Sequence, residues 1–367
     1  MIRKSIGECF YYIQNGANIK QGIVDGGYPI TRIETLSNNQ FNRDRMGYAG
    51  ITELGKYEAN VLEDGDLLMS HINSVQYLGR TVLYKKIEDE VIIHGMNLLR
   101  LKANRNIINP AYARYYFSSN DFKRQLTNIT KKSVNQASFA VADLKKLEII
   151  VPDISEQQTI VDELDRIQKL IQLRIGQLDL FDELIKARFV ELFGDPIRNT
   201  QNRPTTDFIN VVKMQRGFDL PVQDRQQDGD IPVYGSNGAL DRHNVAKVQG
   251  GGVITGRSGT IGKVYYTEGD YWPLNTSLFS VDTHGNNIVY LAHLLQMYDL
   301  SRFTEGTGVP TLNRNKFHNE PIIDVPLSEQ EAFAAFVKQI DKSKVAIQKS
   351  LDEMQVLYDK LMQEYFG

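Results

Sequence analysis

Two forty-residue stretches of this chain begin and end alike. Residues 155–194 read SEQQTIVDELDRIQKLIQLRIGQLDLFDELIKARFVELFG, and residues 328–367 read SEQEAFAAFVKQIDKSKVAIQKSLDEMQVLYDKLMQEYFG. They align without a gap, eleven of the 40 positions are identical, and a Val-Pro pair precedes each, Val151-Pro152 and Val325-Pro326. A repeat spaced 173 residues apart is far longer than the unit of a stacked-repeat array. It means duplicated domains.

Both stretches are expected to be long helices. Ser155 and Ser328 suit the N-cap, Glu156 and Glu329 put negative charge in the first turn, and Gly176 is the only interior Gly or Pro. Apolar residues recur in steps of three and four. In the first stretch they are Ile160, Leu164, Ile167, Ile171, Leu178, Phe181, Ile185 and Leu192, interrupted by Arg174 and Arg188. In the second they are Phe333, Val337, Ile340, Ile347, Leu351, Met354, Tyr358, Leu361 and Tyr365, interrupted by Lys344. This is a heptad seam. Each helix would run about 60 Å at 1.5 Å per residue, too long for one domain of about 150 residues to cover. The competing arrangement packs each helix only on its own domain. Two matching seams in one chain favour pairing with each other, and the globular segment between them leaves room for an antiparallel coiled coil.

The chain therefore divides into 1–154, the helix 155–194, 195–327 and the helix 328–367. The globular segments repeat more faintly. IGECFYYIQNG at 6–16 is similar to INVVKMQRG at 209–217, and Tyr28-Pro29-Ile30 to Ile231-Pro232-Val233. GDLLMSHINSVQYLGRTV at 65–82 is similar to the stretch 252–264, each an apolar strand, a polar loop and a second strand. Met96-Asn97-Leu98 matches Leu274-Asn275-Thr276, and Asn109-Pro110 and Asn287-Ile288 each open a helix. Short strands and turns followed by helices, twice over, give an α+β chain.

Bulk properties exclude several classes. The net charge is −3, which argues against a free-standing nucleic-acid binder. The average hides a pattern: residues 1–154 carry 20 Lys and Arg against 16 Asp and Glu, residues 195–327 carry 12 against 14, and most of the acidic excess lies in the two helices. Cys9 is the only cysteine, so neither a disulfide framework nor a cysteine zinc cluster is expected. No apolar run is long enough to span a bilayer and the N-terminal residues carry no apolar signal region. A cytoplasmic protein without membrane association is expected.

Catalytic motifs are missing. GGVITGRSGTIGK at 251–263 is not a phosphate loop, because Gly262-Lys263 is followed by Val264 and Arg257 stands where the first Gly belongs. Asn109-Pro110-Ala111-Tyr112 falls short of an adenine-methyltransferase motif at its third residue, with no cofactor loop before it. His71 has no His, Cys or carboxylate cluster beside it and reads as a polar loop residue. No metal site, bound cofactor or catalytic residue is expected in this chain.

With IPVYGSNG at 231–238, TGRSGTIGKV at 255–264, WPLNTSLF at 272–279 and Val-Pro before both Ser-Glu-Gln helices, the chain resembles the specificity subunit of type I restriction–modification systems over nearly its whole length. The resemblance implies two mixed α/β target-recognition domains separated by two long helices paired as an antiparallel coiled coil. It implies double-stranded DNA as ligand, each domain reading half of a bipartite site. A rod of about 60 Å caps the half-site spacing near 17 base pairs at about 3.4 Å each. It also implies that two methyltransferase subunits dock on the chain with S-adenosylmethionine, joined by two motor–nuclease subunits that use ATP and magnesium. The alternative is a specificity subunit for a type II-like enzyme whose single partner cleaves and methylates; the partner's own motifs separate the two.

The resemblance puts the glycine-rich loop on the DNA-facing side of the second domain. Arg257 suits a bidentate contact to guanine or a phosphate contact, Ser258 and Thr260 suit phosphate or base edges, and Lys263 suits a phosphate. Tyr234, Ser236 and Asn237 of the neighbouring turn join them, as do Thr307 and Thr311. The counterparts in the first domain are Asn73, Ser74, Gln76, Tyr77 and Arg80, with Lys131, Lys132, Asn135 and Gln136. Helix pairing is assigned to Leu164, Ile167, Ile171, Leu178, Phe181, Ile185, Val337, Ile340, Ile347, Leu351, Met354 and Tyr358.

Overall fold

A computed structural model describes residues 2–37, 39–134, 136–306 and 310–367. The chain forms two packed units, Met1–Leu173 with Leu351–Gly367, and Arg174–Ser350. The boundary falls inside both long helices, so each helix contributes to both units.

The first unit is built on a four-stranded antiparallel sheet of β1 (Phe10–Asn15), β2 (Leu67–Ser70), β3 (Thr81–Leu83) and β4 (Leu98–Ala103), in the order β1-β4-β2-β3. Side chains alternate across a sheet, and here both faces are covered. Leu67, Met69, Leu99 and Leu101 pack with Tyr112, Phe122 and the long helices, whereas Leu68, Val82 and Leu98 pack with Leu36, Tyr84 and Ile92. Arg100 lies on the second face, almost fully buried, 2.7 Å from the equally buried Asp66 and donating to the Ala59 carbonyl.

The second unit repeats this plan. Its strands are β5 (Lys213–Arg216), β6 (Gly252–Gly256), β7 (Val264–Thr267) and β8 (Ser277–Asp282), in the order β5-β8-β6-β7. Met214, Val253, Val264 and Leu278 face the helices, and Ile254 and Phe279 face Tyr271. Each unit also pairs its entering strand with the strand that leads into a long helix, Ile2–Ser5 with Glu148–Val151 and Thr205–Asp207 with Pro321–Ile323. The faint sequence repeat is thus a repeat of strand order.

The long helices span Ile154–Phe193 and Leu327–Phe366. Within the first unit Gln168 donates to the Tyr358 hydroxyl at 2.9 Å and Tyr365 donates to Glu163. Within the second, Lys344 lies 2.5 Å from Asp182, and Phe189 and Phe193 pack on Phe333. Numbers rise along one helix as they fall along the other, so the pairing is antiparallel in both units. Ile160, Leu164, Ile167, Ile171, Ile185 and Val337 are buried. Leu178, Phe181, Ile340, Ile347, Leu351, Met354 and Tyr358 are half-buried.

Two details differ from the sequence reading. The buried residues past Ile185 include Phe189 and Phe193, four apart, while Leu192 is only half-buried. A straight helix drifts against a strict seven-residue repeat, and this end of the helix packs on the domain core, which selects the drifted face. Both helices also begin one residue early, so Ser155 and Ser328 sit in the first turn and not at the cap. Backbone bonds from Gln157 to the Asp153 carbonyl and from Gln330 to the Pro326 carbonyl define the actual starts. In each unit a buried contact of this glutamine with an Asn N–H, Gln157 with Asn109 and Gln330 with Asn287, holds that phase.

Candidate nucleic-acid interface

In the second unit β6 ends at Gly256, where the chain folds back so tightly that a Cβ would fall on the Thr260 carbonyl oxygen. Gly259 then takes a positive φ of 84°, a conformation that favours glycine. The backbone N–H groups of Arg257 and Ser258 both donate to the Thr276 carbonyl, at 2.9 and 3.2 Å, and Leu312 N–H donates to the Arg257 carbonyl at 2.8 Å. Ser258 bridges Thr311, which belongs to a small hairpin of Thr304–Glu305 and Thr311–Leu312. The loop is therefore held by its backbone, leaving its side chains to act.

Three predicted residues, Arg257, Ser258 and Thr311, are brought together in this way. Thr260 is half-buried, since its carbonyl closes the turn, and Lys263 is exposed at the far end of the loop. The turn of the Ile231–Gly235 and Gly238–His243 hairpin adjoins the loop through Ser236, whose carbonyl oxygen lies beside Gly256. Asn237 is exposed at its tip, whereas Tyr234 is half-buried against Tyr271. Thr307 lies outside the described residues.

The first unit builds the same face from a different sequence. Past β2, Ile72–Asn73 pairs with Ala137–Ser138, which pairs with Lys131–Lys132. The loop after the central strand and the hairpin before the long helix converge again. Lys131, Lys132, Gln76 and Gln136 are exposed, and Ser74 is half-buried. Asn73 is committed internally: its amide donates to Ser70 Oγ at 3.2 Å and accepts from Ser74 N–H at 2.8 Å. Arg80 stacks on Tyr77, 4.3 Å from the ring centre, and donates to the Leu36 carbonyl at 3.0 Å. Asn135 lies outside the described residues. His71 is a loop residue, between the strands Leu67–Ser70 and Ile72–Asn73, but a buried one: it lies beside Phe139, and burial pushes its imidazole pKa below the usual histidine value.

Sequence reading missed the rest of the second face. Arg216, Arg314 and Asn313 line a cleft of about 480 Å³ with Arg257 and Thr311. Arg216 ends β5 and Arg314 opens a short turn, Arg314–Lys316, whose preceding Asn313 caps it by accepting from Asn315 N–H. The Gln-Arg-Gly and Asn-Arg-Asn runs were the available signals. Neither run names a partner 40 to 100 residues away.

Among the described residues no group of three His, Cys, Asp or Glu side chains is placed to hold a metal ion, and no helix is long and apolar enough to cross a membrane. Comparison with known proteins agrees with the duplicated plan. The family described as Type I restriction modification DNA specificity domain matches residues 3–179 and again 198–354. A putative type I restriction enzyme MjaX specificity subunit of Methanocaldococcus jannaschii is 35% identical over 193 residues, 52% of this chain and 44% of that protein. The type I restriction enzyme EcoKI specificity subunit of Escherichia coli is 24% identical over 184 residues, 48% of this chain and 39% of that protein. The matched part thus spans less than half the length of either relative. In fold, the chain is similar over its full length to the type I restriction-modification S subunit from M. genitalium. That match has a TM-score of 0.62 at 15% identity and covers 96% of that chain. A chain from a structural description of complex assembly in the type I R-M system gives 0.60 at 15%, with 100% and 97% covered.

Proposed function

Because the chain belongs to the type I restriction modification DNA specificity family, we propose that it is the DNA-recognition subunit of a type I restriction–modification enzyme. Each unit reads one half of a bipartite duplex sequence, mainly in the major groove, and the paired helices fix the gap between the halves. The chain itself does no chemistry. Two methyltransferase subunits dock on it, bring S-adenosylmethionine and methylate adenine within the site. Two motor–nuclease subunits join them, using ATP and magnesium.

The observation that carries this reading is the duplicated face. Two units with one strand order each present a loop after the central strand, paired to a hairpin that precedes a long helix. Both faces are polar and carry Arg or Lys, as phosphate positioning and base readout require. For partner docking, the support is apolar surface left open on the helices: Leu173, Leu180 and Leu184 on the first and Val345 and Val356 on the second are exposed. The near-neutral charge of the chain fits a recognition subunit whose partners supply much of the phosphate-binding surface.

The test is to co-express the chain with its modification subunits and map methylated adenines across a genome by single-molecule sequencing. A bipartite motif with a fixed gap is expected. A stable complex that adds no methylated motif would overturn the reading. Tight DNA binding by the lone chain, falling steeply with salt, would show that the partners are not needed for phosphate contacts.

A further inference from the structure

The two faces share a scaffold but present different chemistry. In the second unit Arg216, Arg257 and Arg314 converge on one cleft. Among the described residues none of these three arginines is in an ion pair with a carboxylate. Glu305, which also lines the cleft, is engaged by Lys316 at 2.9 Å. Planar forks left without a partner suit a ligand that offers paired acceptors. In the major groove guanine does this with O6 and N7 side by side.

Among the described residues the first unit gathers no set of arginines of this kind; the cleft beside its loop is lined by Gln76, Arg80, Asn120 and Lys123. Its face carries Arg80, whose fork is engaged by the Leu36 carbonyl and the Tyr77 ring. Besides Lys131 and Lys132, apolar and amide side chains stand exposed there. Val134, Val75 and Ile72 are 99, 56 and 37% exposed on the loop and hairpin, and Gln76 and Gln136 are exposed beside them. Apolar side chains held in water on a face flanked by Lys131 and Lys132 suit the thymine methyl group, and glutamine amides suit adenine N6 and N7.

We propose that the two units read different base pairs: the half-site of the second unit contains guanine, read by the arginine cleft, and that of the first unit is made of A·T pairs, read through methyl and amide contacts. The proposal rests on the DNA-recognition reading above and adds the base class to each half.

The experiment uses the full chain in complex with its modification subunits, selected against randomised duplexes, with bound sequences read by sequencing. The native complex is expected to give one half with guanine and one half without. Arg216→Lys, Arg257→Lys and Arg314→Lys keep the charge and remove the fork. At least one should cut guanine preference about 5- to 150-fold at a single position, leaving the other half unchanged. Val75→Ser with Val134→Ser should relax thymine preference in the other half only. Two halves of like composition in the native motif overturn the proposal whatever the variants do. So do lysine variants that keep full selectivity or weaken all sequences alike, because the arginines then bind phosphate. A native complex with no base preference removes the DNA-recognition reading and this inference with it.

Discussion

Gln157 joins the first long helix to Asn109: the backbone N–H of Asn109 donates to Gln157 Oε1 at 2.8 Å, and Gln157 Nε2 donates to the Pro152 carbonyl at 2.8 Å. The second unit repeats the contact, with Asn287 N–H to Gln330 Oε1 at 2.9 Å and Gln330 Nε2 to the Val325 carbonyl at 2.8 Å. Both glutamines are buried. Asn109 and Asn287 in turn cap the helices they precede. One side chain thus ties the segment that follows the strand, the domain helix and the long helix together, which explains why Ser-Glu-Gln occurs twice. Gln157→Ala should cost about 2–4 kcal/mol, since a buried donor and a buried acceptor lose their partners. Urea denaturation checks this; a loss under about 1 kcal/mol, no more than an ordinary net hydrogen bond, would mean that water replaces the amide.

The helix seam should be graded in energy. Leu164 is fully buried and Leu178 only half-buried. Leu164→Ala is expected to cost about 2–5 kcal/mol, and Leu178→Ala roughly half of that. Equal losses in denaturation midpoint would mean that the coiled coil, not the domain core, dominates burial along the whole helix.

Gly256→Ala tests the loop turn. A Cβ there meets the Thr260 carbonyl, so the loop must open and Arg257 must leave the Thr276 and Leu312 anchors. Selectivity for the half-site of the second unit should fall at least tenfold, while that of the first unit stays. A selection experiment that finds both halves intact would show that the loop backbone does not set Arg257.

Acid should weaken the fold through its histidines. His94 is fully buried, its Nε2 against the Leu98 carbonyl at 2.9 Å, and burial pushes its pKa down to about 3. Burial pushes His293 down to about 4. A depressed histidine stays neutral in the native state while the unfolded chain takes up protons below about pH 6.5. Stability is therefore full above that pH and is lost as pH falls from about 6.5 towards 3–4, at up to about 1.4 kcal/mol per pH unit per group. His94→Gln should flatten the pH dependence of the denaturation midpoint between about pH 6.5 and 5. An unchanged slope would mean that other groups carry it.

The sequence alone determined what repeats locally. Helix length, the three-and-four step of the seam and the strand–loop–strand about Gly256 follow from short-range periodicity and backbone freedom, so they were legible without neighbours. Much of the face was legible too: Arg257, Ser258 and Thr311 meet, and Lys131 and Lys132 border the matching loop. Tertiary structure decided the rest. It shifted the seam onto Phe189 and Phe193 because the domain core, through Tyr290, joins Phe333 of the partner helix in covering that end. It moved both helix starts because a buried Gln must reach an Asn N–H more than 40 residues away. It buried His71, committed Asn73 and Arg80 to their own backbone and stacking partners, and assembled Arg216, Arg257 and Arg314 from three distant segments. Those outcomes depend on which groups pack against which after the sheet has formed. Local spacing carries no record of that, because a side chain's partners across a sheet are set by strand order.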